Sequence, residues 1–190
     1  MTSGWRRSVA LPVALAAAAY VLAAFWVDLP PYGIWLESAR STVRLHGASA
    51  EATVELAYRC TSWRTRGTVL YLPFARSLGA VREVRAEVED GWTWESRDDG
   101  VLLRARMGPQ TTGRARFTFV QDCPQRRFRL PFPVTRGSGR PPSPAEWSIQ
   151  VPPGLQVDLS PAPPKGGTGL GAGIHLVQGT TDQVLEVTWR

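Results

Sequence analysis

The chain has 190 residues, 43% hydrophobic and 20% charged, a balance that excludes a disordered tail and leaves room for one core. Its 18 Gly and 16 Pro fit short strands and turns better than a helical bundle. The net charge is +6, with a single Lys, Lys165, among the basic residues.

The first element is an uncharged, mostly apolar run over residues 8–27, with Trp5, Arg6 and Arg7 before it and Asp28 after it. As a helix, the stretch from Trp5 to Trp26 is roughly 31 Å long, which matches a hydrocarbon core about 30 Å thick. Trp5 and Trp26 then sit at the two interfaces, where an indole keeps one edge apolar and its N–H wet. Arg6 and Arg7 resist translocation and hold the N-terminus in the cytoplasm. The competing reading is a cleaved signal peptide, with Val21-Leu22-Ala23 or Leu22-Ala23-Ala24 as the small-residue site. Continuation of the run through Phe25-Trp26-Val27 favours a retained anchor. Arg6-Arg7 also matches the core of a twin-arginine signal, without a second cue. Ala14 and Ala16 to Ala19 make the helix slim enough for close helix packing.

The predicted organisation is therefore a cytoplasmic N-terminus over residues 1–7, a transmembrane anchor over 8–27, a juxtamembrane stem over 28–40 and an extracytoplasmic domain over 41–190. The expected location is the inner membrane, crossed once, with the C-terminal domain in the periplasm. Tyr32 and Trp35 in the stem are placed to touch lipid heads or a neighbouring membrane subunit.

Beyond residue 40 the dominant signal is alternation with period two. Ala52, Val54, Leu56 and Tyr58 share one face; Val84, Ala86 and Val88 another; then Ala115, Phe117 and Phe119. Phe128, Leu130 and Phe132 follow, then Trp147, Ile149 and Val151, then Leu155, Val157 and Leu159, and finally Leu185, Val187 and Trp189. One dry and one wet face per strand is the pattern of antiparallel sheets. Asp90-Gly91 and Asp98-Asp99-Gly100 are the expected tight hairpins around a strand containing Trp92 and Trp94. The predicted fold is all-β, an antiparallel β-sandwich, Ig-like or related, behind one transmembrane helix. Residues 135–144 and 160–173 read as exposed connections.

Cys60 and Cys123 are an even pair in an oxidising compartment, which predicts a disulfide. That bond would bring their Cα atoms to roughly 5.5 Å. It would also merge Arg59, Arg64 and Arg66 with Arg126, Arg127 and Arg129 into one basic interaction patch beside Trp63. Such arginines pair well with carboxylates or phosphates, and Arg and Trp are favoured at interface hot spots.

Catalytic and cofactor cues are weak. In Lys165-Gly-Gly-Thr-Gly-Leu-Gly-Ala-Gly173 the Lys precedes the glycines, and a strand follows, so a phosphate loop is disfavoured and a flexible loop expected. His46 and His175 lie in no ligand-like cluster, and the two cysteines lack a neighbouring His pair for zinc. A Gly-x-Ser-x-Gly elbow is absent. No catalytic residue, metal, cofactor or small-molecule substrate is assigned. An exported domain does not meet nucleic acid, so the basic excess is assigned to membrane lipid or an acidic partner. The expectation is a non-catalytic accessory subunit docked on an integral membrane complex of respiratory, photosynthetic, transport or secretion type. The alternative is a tethered module for lipid, glycan or peptide, using Trp63 or Trp92 and Trp94.

Overall fold

In a computed structural model of the chain, the described backbone covers residues 4–27, 33–131, 134–135, 145–160, 166–171, 174–181 and 184–190. Within the first helix, side chains are described for residues 12–23. Tyr32 and Phe132 lie outside the described residues, as do the side chains of Trp5, Arg6, Arg7 and Trp26.

Helix α1 runs over Gly4–Val27 and contains Pro12. Side chains 12–22 are all exposed, among them Val13 at 61%, Leu15 at 62% and Leu22 at 62%. Among the described residues no helix is long and apolar enough to cross a membrane.

The rest is all-β, in three sheets. The strands are β1 (Ile34–His46), β2 (Ser49–Cys60), β3 (Arg66–Pro73), β4 (Val81–Val88), β5 (Thr93–Arg97), β6 (Gly100–Met107) and β7 (Thr112–Asp122). They continue with β8 (Arg127–Arg129), β9 (Val134–Thr135), β10 (Ala145–Val151), β11 (Val157–Ser160), β12 (Gly166–Gly171), β13 (Ile174–Thr181) and β14 (Glu186–Trp189). A seven-stranded sheet has the order β12-β13-β10-β1-β2-β7-β4; a four-stranded sheet has β5-β6-β3-β9; a three-stranded sheet has β11-β14-β8.

The period-two pattern sets the faces. Ala52, Val54, Leu56 and Tyr58, with Ala115, Phe117 and Phe119, point inward from the seven-stranded sheet. Leu70, Leu72, Val101 and Leu103 point inward from the four-stranded sheet, and all belong to one apolar cluster. Phe128, Leu130, Leu185, Val187 and Trp189 fill the same core from the third sheet and its flanks. The Trp189 indole donates to the Gly47 carbonyl at 2.7 Å, tying the C-terminal strand to the β1–β2 turn.

Three expectations are corrected and one open alternative is decided. The large sheet is mixed rather than wholly antiparallel, since β1 runs parallel to β10 over Arg40–Arg44. A parallel neighbour needs a long crossover, and β1 and β10 are separated by most of the chain. Residues 28–40 left a stiff stem and a first strand open as alternatives, and residues 34–40 are strand, with Trp35 and Leu36 paired to Arg59 and Tyr58. Asp90-Gly91 does not close a hairpin: β4 lies in the seven-stranded sheet and β5 in the four-stranded one, so the turn carries the chain between sheets. Gly166–Gly171 is strand β12, in register with β13 from Gly166↔Gly179 to Gly171↔Ile174; glycine hides a strand because it carries no alternation. The Asp98-Asp99 turn does join β5 to β6, with Arg97 opposite Gly100.

Candidate functional site

The disulfide does not form. Cys60 and Cys123 are both free and buried. Cys60 closes β2, where its N–H donates to the Thr111 carbonyl at 2.8 Å, while the Cys123 N–H donates to the Ala48 carbonyl at 2.6 Å, ahead of β2. A strand rises about 3.3 Å per residue, so the cysteines are roughly 40 Å apart at opposite ends of β2. Burial first, and Asp122 second, push the Cys123 thiol up to about 11, which keeps it protonated and unreactive.

The basic patch is therefore two separate clusters. At the far end, Arg127 and Arg129 flank the inward-pointing Phe128 on β8 and converge on Glu186 of β14. Arg127 Nε donates to Glu186 at 2.8 Å, and its Nη2 also reaches that carboxylate. Arg129 Nη2 lies 3.5 Å from the second oxygen. The hydrogen bond from Arg127, with added pull from Arg129, holds the Glu186 carboxyl below its ordinary range. Arg126 sits in the left-handed region at φ 52, and the turn is fixed by its N–H donating to the Cys123 carbonyl.

The other cluster lies where β1 begins, seven residues after α1 ends. Trp35 stands opposite Arg59, and Arg59 pairs with Glu37. The Trp35 indole, 43% exposed, donates to Thr61 Oγ1 at 3.2 Å. Thr61 also ties back to Gly33, whose N–H donates to Thr61 Oγ1 at 3.1 Å. Two residues on, Trp63 is 61% exposed. The loop presenting it is braced from within. Ser62 is buried, and its hydroxyl accepts from the Arg64 N–H at 3.3 Å and from Arg66 Nε at 3.1 Å. The Gln110 side chain donates to the Thr61 carbonyl at 2.7 Å, and the Gln110 backbone N–H donates to that of Ser62. Trp35, Trp63, Arg59, Arg64 and Arg66 thus share one end; Arg126, Arg127 and Arg129 share the other.

Trp92 belongs to the core and Trp94 packs against it. Trp92 is buried, its N–H donates to the Arg106 carbonyl at 3.1 Å, and its ring meets Tyr58 edge-on at 6.0 Å. A Cβ on Gly113 would lie 2.4 Å from that ring, so glycine is required there. Trp94 is half-buried against the same core.

The two large sheets differ on their outer faces. Across the seven-stranded sheet, Glu87, Arg116, Glu55, Arg40 and Glu146 stand directly opposite one another on β4, β7, β2, β1 and β10. Arg40 Nη2 lies 2.6 Å from Glu146, and Arg116 lies 3.7 Å from Glu55 and 3.8 Å from Glu87. This row of alternating sign floors a shallow concavity of about 650 Å³. Opposite charges across strands stabilise a sheet, so each Arg of the row is paired on both sides, and the row keeps one acid in excess. Beside it, Thr118, Thr53, Thr42 and Ser148 form a hydroxyl row.

On the four-stranded sheet, Thr93, Arg104 and Val69 form one outer row and Arg106 stands opposite Gly67. Together with Gly91 they line an open groove of about 460 Å³ that contains no acid. Val69, opposite Arg104, is 37% exposed. Among the described residues neither Arg104 nor Arg106 meets an acidic side chain. The sequence reading missed this groove, because Val69 and Arg104 are brought together only by the β3–β6 register.

Among the described residues no group of three or more His, Cys, Asp or Glu is placed to hold a metal ion.

No protein-family model matches the chain, and no curated protein matches it. Solved structures do share the fold. A candidate nutrient-binding protein of Legionella pneumophila superposes with a TM-score of 0.58 at 8% identity, covering 83% of this chain and 67% of that one. An M1 zinc metallopeptidase of Deinococcus radiodurans gives 0.50 at 12% identity, covering 82% of this chain and 42% of the other. Leukotriene A4 hydrolase of Saccharomyces cerevisiae gives 0.50 at 9% identity, covering 83% and 29%. At such identities the likeness is one of fold alone. The chain spans less than half the length of the peptidase and the hydrolase.

Proposed function

We propose that the chain is a membrane-tethered, non-catalytic accessory subunit whose extracytoplasmic β-sandwich docks on a larger membrane assembly. The observation that carries the docking is the contrast between the outer faces. The arginines of the seven-stranded row are paired with Glu on both sides and leave one acid in excess, whereas the four-stranded face offers an acid-free groove in which Arg104 stands opposite Val69 and Arg106 opposite Gly67. Arginine beside an exposed apolar side chain suits an acidic, partly apolar partner surface. The tether is supported by α1, whose apolar side chains are exposed all round over residues 12–22; such a helix needs lipid or protein around it.

Mild detergent extraction from native membranes, followed by native sizing, tests the proposal. The intact chain is expected in a species well above its own 20.9 kDa. The double variant Arg104→Glu with Arg106→Glu is expected to leave that species while remaining folded. Migration of the unaltered chain on its own contradicts the proposal.

A further inference from the structure

The end of the sheet nearest α1 has the composition of a membrane-facing surface. Val27 and Ile34 are seven residues apart, so the start of β1 is held within roughly 25 Å of the helix end. Trp35 and Trp63 are both exposed there, at 43% and 61%, and both lie beside Thr61. The loop over residues 61–65 does not expose Trp63 by looseness. Buried Ser62 and the three Gln110 hydrogen bonds fix its backbone. Holding a large indole rigidly in water is unfavourable for a free domain and useful for one set on an interface. Residues 61–66 and 108–111 contain the half-buried Arg64 and Arg66 and no acid; Arg66 Nε is held by Ser62, and the positive charge of the pair suits phosphate oxygens.

We propose that Trp35 and Trp63 seat this end of the domain in the phospholipid headgroup layer, with Arg64 and Arg66 at the phosphate level. The inference rests on the tether reading. It adds an orientation: β2 stands up from the membrane, and the Arg127–Glu186 end points away. The two arginines contribute less than the indoles, because an interfacial ring gains from both its apolar body and its N–H.

The test uses the full chain reconstituted into phosphatidylcholine–phosphatidylglycerol vesicles, with or without bromine on the acyl chains close to the headgroup. Trp63→Phe and Trp35→Phe isolate each indole by difference, since bromine quenches only nearby rings. The emission assigned to Trp63 is expected to fall by about half or more in brominated vesicles, as an interfacial indole should, and that of Trp35 to fall in the same direction. Arg64→Gln with Arg66→Gln is expected to weaken the quenching of Trp63 without abolishing it. Unchanged Trp63 emission in a chain that resists alkaline carbonate extraction overturns this seating and leaves the tether intact. Release of the chain by carbonate overturns both. Circular dichroism of each variant confirms that the sheets are retained, so a loss of quenching reports seating rather than unfolding.

Discussion

The two ends of β2 carry similar sequence, arginines next to a cysteine, and do different things with it. At the far end Arg127 and Arg129 close on one carboxylate, Glu186, and Gln121 is buried with its amide donating to the Ala75 carbonyl at 2.8 Å. At the end near α1 the hydrogen bonds are spent on the backbone of residues 61–65, and the indoles of Trp35 and Trp63 are left exposed. A closed cluster stabilises the fold; a braced loop with exposed rings is built for contact. The lesson is that local composition does not tell these apart, because the partner comes from a strand far along the chain.

The largest expected effect breaks the far end. Gly79 has φ +149, and a Cβ there would lie 1.6 Å from the Asp122 carbonyl oxygen. Gly79→Ala is expected to cost at least about 3 kcal/mol by urea unfolding. Gly47→Ala, at φ +51 with open space around it, is the control and is expected to cost about 1 kcal/mol. Equal costs would mean that the β1–β2 and 76–79 turns are not packed as described.

Next comes the brace near α1. Ser62→Ala removes an acceptor used by the Arg64 N–H and by Arg66 Nε, for an expected loss of about 1–2 kcal/mol. Trp63→Ala is expected to change stability by less than about 0.5 kcal/mol, as for an exposed side chain. A larger loss for Trp63 than for Ser62 would make the indole a packing residue and reverse the contrast between the ends.

A smaller effect is electrostatic. The folded-state pKa of Glu186 is depressed, so its pairing stabilises the native state above the ordinary carboxylate range. That contribution is lost as pH falls through the lower folded value. Glu186→Gln is expected to cost under about 1 kcal/mol at neutral pH and to flatten the acid limb of stability against pH. An unchanged acid limb would show that the Arg127 and Arg129 contacts carry no weight in solution.

The smallest effect is none. With both thiols free, a reductant is expected to leave Tm unchanged, and thiol titration in denaturant to find two thiols per chain. A titration of zero would restore the disulfide and require a different strand arrangement.

Most of the core was legible in the chain. Ala52 to Tyr58, Ala115 to Phe119 and Trp147 to Val151 alternate because one face of each strand is dry, and all of them face inward. What stayed hidden depends on long-range pairing. Nothing local to Asp90-Gly91 says that β4 and β5 join different sheets. The parallel β1–β10 pair links residues about a hundred positions apart. The Cys60–Cys123 expectation failed for the same reason: parity and compartment suggest a bond, but only the β2–β7 register shows that the strand separates them. Of the candidate site, Trp35, Trp63, Arg64 and Arg66 were all singled out. Their shared end became visible only once residues 34–40 were recognised as strand, with Trp35 opposite Arg59. The compartment now rests on the N-terminal helix alone, since the cysteines lend it no support.

Protease treatment of intact spheroplasts carrying the full chain with a C-terminal tag addresses that dependence most directly. The tag is expected to stay with washed spheroplasts and to be removed by added protease before lysis. A tag that survives until the cells are broken would place the domain on the other side of the membrane and contradict the account.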